Sequence, residues 1–290
     1  MSERTLGIIG GSGIYDLPEL ENRKEVKIET PFGAPSDAFI TGTMFGVRMA
    51  FLPRHGRGHL IAPHELPFRA NLHAMKQLGM ECVLGISAVG SMKAELQPGH
   101  FVMVDQFIDR TRGRTQESTF FSDGCVAHAH FADPIWEPLR KITLQAARSA
   151  GATVHDRGIY LCMEGPHFST RAESRMYRHW GVDVIGMTNL QEAKLAREAE
   201  LAYATLALVT DFDCWHEAEG DVDVSKVLAV VRQNADLAQR TVRETARMIG
   251  AAPTAISAKG CMQHAVMTSS AAITPDARRR LQLLIRDQLG

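Results

Sequence analysis

Apolar residues gather into short runs at positions 6–9, 39–43, 48–52, 82–89, 101–108, 158–163, 182–186 and 203–210. Several, such as VLGISAV and ATLALVT, are nearly unbroken, as in strands covered on both faces. Between the runs the apolar period lengthens to three or four. Leu72, Met75 and Leu78 follow an early Pro67 and stop at Gly79, which predicts a helix over 67–78. Trp136, Leu139, Ile142, Ala146 and Ala150 predict a second, ended by Gly151. A long third helix is expected between Asp223, suited to an N-cap, and Gly250, with Val227, Val231, Ala235, Ala238, Val242 and Ile249 along its apolar stripe. Thr274-Pro275 opens a last helix carrying Leu281, Leu284 and Ile285. Strands mixed with helices over the whole length predict an α/β fold, a single domain with a central mixed β-sheet flanked by helices. The stretch GAAPTAISAKG reads as the linker between a main domain, 1–250, and a C-terminal helical extension, 251–290, that packs on it or on a neighbouring subunit.

Composition narrows the partners. Lysine and arginine number 32 against 33 acidic residues, so neither a nucleic-acid surface nor an anionic membrane is expected as partner. The five cysteines lie far apart with no CxxC pair, which argues against a disulfide framework. The start, MSERTLG, has no basic segment leading into a secretory apolar core, and no apolar run approaches the ~20 residues of a membrane span. A cytoplasmic location is expected.

Candidate chemistry clusters where apolar runs end. LGIIGGSGIYD lacks the third glycine of a dinucleotide loop and the Gly-Lys-Ser/Thr of a triphosphate loop. A small nest of N–H groups with the Ser12 hydroxyl remains, sized for one phosphate, or else a tight turn without a ligand. LPRHGRGH places Arg54 and His55 after a strand, where Arg54 could grip an anion through two parallel donors. GISAVGS offers Ser87 and small residues that let backbone approach a ligand. Thr188 stands at a helix start with Gln191 three residues on, which fits a capping box and equally an anion site. One phosphate held where several strands finish would explain all four. ATLALVTDFDCWHE ends its strand on Asp211 and Asp213, carboxylates that need partners. A metal shared with His216, structural arginines, or a base with N–H donors would each serve.

The segments GIIGGSGIYD, TPFGAPSD, RHGRGH, ANLHAMKQLG, QPGHFVMVDQFIDRT, EGPHFSTRAES, GVDVIGMTN, EAKLARE and TDFDCW occur in this order. From about residue 6 to 231 the chain thereby resembles the methylthioadenosine phosphorylase family, in the trimeric branch of the purine nucleoside phosphorylases. The resemblance implies phosphorolysis of 5′-methylthioadenosine, with methylthioinosine or purine nucleosides in general as the alternative. It implies phosphate binding at Ser12, Arg54, His55, Ser87 and Thr188, with inorganic phosphate as co-substrate and neither metal nor organic cofactor. Ala88, Phe168, Ser169 and Asp213 match substrate positions, with Met187 under the ribose and Val224 and Val227 around the methylthio group. Asp211 matches the group that protonates the departing purine. Relatives acting on 6-oxopurines carry asparagine at the place of Asp211, so TDFD implies adenine. His128 matches a residue lent by the adjacent subunit, which implies a homotrimer. The chain departs from the family pattern at His167, Gly186 and Gln191.

Overall fold

The computed structural model describes residues 3–11, 14, 17–216 and 224–285. Among these, eleven strands form one sheet. In chain order the strands are β1 (Thr5–Gly10), β2 (Glu21–Val26), β3 (Phe39–Met44), β4 (Val47–Pro53), β5 (Cys82–Ser91), β6 (Phe101–Met103), β7 (Gln106–Arg110), β8 (Val154–Asp156), β9 (Ile159–Met163), β10 (Val184–Gly186) and β11 (Ala202–Asp211). The helices are α1 (Phe68–Gln77), α2 (Glu137–Ser149), α3 (Arg171–His179), α4 (Asn189–Glu198), α5 (Val224–Ala251) and α6 (Pro275–Ile285).

The sheet is mixed. β1 runs parallel to β4 and β5, while β10 and β5 are antiparallel. The most apolar runs become its centre, β1 and β11 being buried along almost their whole length. β5 is the branch point. One edge pairs with β11 from Cys82 to Gly90; the other pairs with β1 over Val83–Gly85 and with β10 only at Gly90 and Ser91. Between them, residues 86–89 of β5 face a gap bounded by the ends of β1 and β10. A sheet that splits at strand ends leaves a crevice where backbone groups are free to meet a ligand.

Three elements depart from the expected pattern. The run at 101–108 is two strands: β6 pairs with β11 and β8, whereas β7 pairs with β9. Asp105 makes the break, its carboxylate accepting from the Gly158 amide at 2.9 Å and from Arg157 at 2.9 Å. β2, ENRKEV, is exposed over all but its last residue and so carries no apolar signal. α3 buries only Ser174 and Tyr177, although Thr170 and Glu173 form a full capping box at its start. Beyond α5 the chain does not swing free. Ala258, Met262, Leu281 and Ile285 are buried in the main hydrophobic cluster, and Val266 bridges Ala127.

Candidate functional site

The gap in the sheet opens into a cavity of about 380 Å³, lined by residues of β5, β10 and β11, the loop after β4, and α5. Of the residues singled out in the sequence, Arg54, His55, Ser87, Ala88, Phe168, Met187, Thr188, Asp211, Asp213 and Val227 line it together. Ser12 lies outside the described residues.

Arg54 closes the fork between β1 and β5. The β1–β5 pairing ends at Ile9 and Gly85, and buried carbonyls beside such a fork need donors. Arg54 Nη1 donates to Ile86 O at 2.8 Å and Nη2 to Ile9 O at 3.1 Å. Its other donors go to Glu192, Nε to Oε1 at 2.5 Å and Nη2 to Oε2 at 3.1 Å. The two-donor fork expected for an anion is therefore already spent on Glu192, leaving one N–H of Nη1 for a ligand. Both side chains are almost fully buried. Burial alone would lower the Arg54 pKa; the Glu192 carboxylate outweighs it and holds the group charged.

Glu192 anchors a wider network. Its Oε2 also accepts from Tyr203 OH at 2.7 Å and from Asn189 Nδ2 at 3.2 Å, and Ser87 Oγ donates to Asn189 Oδ1. Gly85 makes room for this, since a Cβ there would stand 2.2 Å from the Tyr203 hydroxyl. Thr188 is the N-cap of α4, yet its side chain makes no capping bond and Gln191 turns instead to Thr111 Oγ1 at 3.0 Å. The capping box is not formed, and the Thr188 hydroxyl stays at the cavity wall beside a helix N-terminus. His55 stacks on His59 at 4.3 Å, and its Nδ1 faces the Ile61 carbonyl at 2.8 Å. Burial, with Arg54 adding to it, lowers its pKa to about 4, so the ring is neutral at ordinary pH.

The opposite end of the cavity carries the two carboxylates. Asp211 Oδ2 accepts from the Thr210 hydroxyl at 2.7 Å and Oδ1 from the Asp213 amide at 2.8 Å. Asp213 is the more buried, 4% exposed. Burial pushes its carboxyl pKa up and the Asp211 charge adds to this, against hydrogen bonds from Ser174, the Cys214 amide and Ser169. The protonated partner expected at Asp211 thus finds its burial at Asp213. Ser169 and Val224 are not among the lining residues; Val224 is 58% exposed at the first position of α5. His128 is likewise outside this cavity, on an exposed segment whose amide donates to Ala265 O at 2.8 Å. His216 stacks on Phe212, and among the described residues no group of three or more His, Cys, Asp or Glu is arranged to hold a metal ion.

Glu192, Asn189, Tyr203 and Tyr160 escaped sequence reasoning. A lone acidic residue in a helix reads as a solvated face, and only the distance of 138 residues between Glu192 and Arg54 hides that they are paired. Tyr160 is buried behind the lining residue Gly186 and accepts from the Thr188 amide at 3.4 Å.

The chain matches the Phosphorylase superfamily over residues 5–247. It is 51% identical to the S-methyl-5′-thioadenosine phosphorylase of Geobacter sulfurreducens, with 98% of each chain covered. It is 52% identical to that of Synechocystis sp., with 98% of this chain and 88% of the relative covered. A crystal structure of a methylthioadenosine phosphorylase sourced from an antarctic soil metagenomic library superposes with a TM-score of 0.91 at 45% identity, over 98% of this chain and 99% of that one. Methylthioadenosine phosphorylase from Schistosoma mansoni in complex with adenine gives 0.80 at 38% identity, over 86% and 92%. Family match, identity and superposition over nearly the whole length agree: the chain belongs to the Phosphorylase superfamily, in its methylthioadenosine phosphorylase family.

Proposed function

We propose that this protein catalyses the reversible phosphorolysis of 5′-methylthioadenosine to adenine and 5-methylthioribose 1-phosphate. One observation carries the reading: a single cavity joins an anion end, Arg54, Ser87 and Thr188, to a carboxylate end, Asp211 and Asp213. A nucleoside between them has its purine at the carboxylates and its anomeric carbon toward the anion. The S. mansoni relative, whose structure holds adenine, supports the base assignment.

In this reading phosphate is held by Arg54 Nη1, the Ser87 and Thr188 hydroxyls and the α4 N-terminus, with Ser12 and His55 added by resemblance. Holding it there turns a bimolecular attack into a positioned one. The C1′–N9 bond breaks as the ribose gains oxocarbenium character, and a phosphate oxygen forms the new bond to C1′. The electron pair stays on the purine and a proton from the carboxyl pair passes to N7. Asp211 faces the base, and Asp213, whose carboxyl pKa burial raises, holds the 6-amino group. Met187 and Phe168 enclose the sugar and base, and Val227 suits a thioether better than a hydroxyl, which would be left unpaired at about 1–3 kcal/mol.

Inorganic phosphate is the co-substrate, and the residues named supply the chemistry without a metal or organic cofactor. We assign the protein to a homotrimer in which the exposed His128 reaches a neighbouring cavity. Five free thiols fit a reducing cytoplasm.

The test is release of free base from methylthioadenosine, methylthioinosine and adenosine, each with and without phosphate. Phosphate-dependent adenine release, fastest from methylthioadenosine, is expected. Faster hypoxanthine release would sink the base assignment, and no turnover of any substrate would sink the reading altogether.

A further inference from the structure

Arg114 is absent from the cavity wall, yet its side chain is 1% exposed and makes four hydrogen bonds. It sits on the loop after β7. Nε donates to Glu164 Oε1 at 3.1 Å, and Nη2 donates to the Glu164 carbonyl. Nη1 donates to the Met187 carbonyl and, at 3.3 Å, to Gln191 Oε1. The guanidinium lies over the Phe68 ring, 5.6 Å from its centroid. Its orientation is fixed from both sides. Glu164 Oε2 accepts from the amides of Arg112 and Gly113, and Gln191 is tied through Nε2 to Thr111.

The two carbonyls that Arg114 joins belong to different elements. Glu164 follows β9, between the cavity-lining Met163 and Phe168; Met187 follows β10, just before Thr188. The same two segments meet a second time. Gly165, at φ +66, has Met187 Sδ where its Cβ would stand, 2.5 Å away, so the thioether rests on bare backbone. Met187 is thus located from behind by Arg114 and from the side by Gly165. An apolar side chain could fill this volume at lower desolvation cost; what a guanidinium adds is direction, several donors at fixed angles ending on chosen backbone atoms.

The geometry points to Arg114 as the positioning residue of the nucleoside half of the site, with Glu164 and Gln191 orienting it: it sets the spacing between the Phe168 wall and the Met187 floor. This rests on the proposed nucleoside chemistry. The Arg54–Glu192 network has no hydrogen bond to Arg114 among the described residues, so the Arg54 side of the anion half should keep its geometry when Arg114 changes, while Thr188, directly after Met187, is the one anion-end group within its reach.

The test separates nucleoside from phosphate. Arg114→Lys keeps the charge and loses the fork; Gln191→Leu removes one orienting partner and keeps Arg114 itself. Two-substrate kinetics should show the methylthioadenosine KM rising about tenfold in Arg114→Lys, with a smaller rise of the same sign in Gln191→Leu. The phosphate KM should rise clearly less than the nucleoside KM in both. Adenine affinity by calorimetry should weaken in step with the nucleoside KM. If Arg114→Lys does not fold, Gln191→Leu carries the test. Equal rises in both KM values, or a lowered melting temperature with both unchanged, would make Arg114 a stability element only. A wild-type protein that neither binds adenine nor turns over methylthioadenosine would overturn the proposed function and this role with it; a wild type that does both, with variants unchanged, would overturn the positioning role alone.

Discussion

The two ends of the cavity are built in opposite ways. At the anion end the charged group is buried where the sheet forks, and the polar side chains behind it, Glu192, Asn189 and Tyr203, are bonded to it or to one another. At the nucleoside end β11 delivers Asp211 and the buried Asp213, but the walls facing them come from segments outside regular structure and from the first turns of α5 and remain open: Phe168 is 45% exposed and Leu228 49%. One end is completed by folding, the other by whatever covers it. Substitutions at the first should register in stability before activity, and at the second in activity before stability.

Glu192→Ala gives the largest expected effect. It leaves the Arg54 charge buried without its partner, which costs about 3–5 kcal/mol. Urea unfolding measures it directly, with Phe168→Ala as the counterpart from the open end, expected within about 0.5 kcal/mol of the parent. If the two variants unfolded at the same denaturant concentration, water would be reaching Arg54 and the contrast between the ends would be lost.

Next comes Asp211→Asn, which tests the open end by chemistry. The amide keeps the shape and can still accept from Thr210 or the Asp213 amide, so folding stability should hardly move. A neutral amide cannot carry the proton for N7. A loss of about 10²–10⁴ in kcat/KM on methylthioadenosine is expected. The ratio of methylthioinosine to methylthioadenosine turnover should rise, because an amide N–H no longer repels a 6-oxo group. A variant as active as the parent would move the proton donor to Asp213 or away from the pair.

This asymmetry also explains what could be read in advance. Asp211 and Asp213 stand out because a carboxylate ending an unbroken apolar strand is chemically conspicuous, and the strands themselves, β1, β5 and β11, announce their burial by composition. Arg54 was visible as a charged residue after a strand, but its use was not. Its fork reads as an anion grip until Glu192, far along the chain, is brought against it by the packing of α4 on β5 and β11. Only the fold could reveal that the split between β1 and β5 consumes most of the arginine's donors. Arg114 was hidden for the same reason, its partners lying 50 and 73 residues away. β2 was illegible because edge strands need no buried face, and the run at 101–108 misled because hydrophobicity records burial and not which neighbour is paired. α3 could have been found from Thr170 and Glu173, whose capping box is a local signal that needs no apolar stripe.

The smallest effect is expected from pH, and it probes the sealed end at His55. Burial lowers its pKa from 6.5 to about 4. Above pH 6.5 the ring is neutral in folded and unfolded chains alike and contributes no pH dependence. As pH falls from 6.5 toward 4 the unfolded chain takes up the proton and the folded chain does not, so stability falls. The slope is at most about 1.4 kcal/mol per pH unit and ends once the folded ring also protonates. Glu198 works in the other direction. Burial pushes its carboxyl up to about 7, so the folded chain binds that proton first and stability rises as pH falls from 7 toward 4.5. The two partly cancel, and the wild-type profile alone is shallow. The informative quantity is the difference between wild type and His55→Gln, in urea unfolding at pH 7 and at pH 5. The variant should be relatively more stable at the lower pH, since it has no proton to gain in the unfolded state. An identical difference at both pH values would mean that His55 titrates in water, and that the anion end is less enclosed than the buried Arg54–Glu192 pair requires.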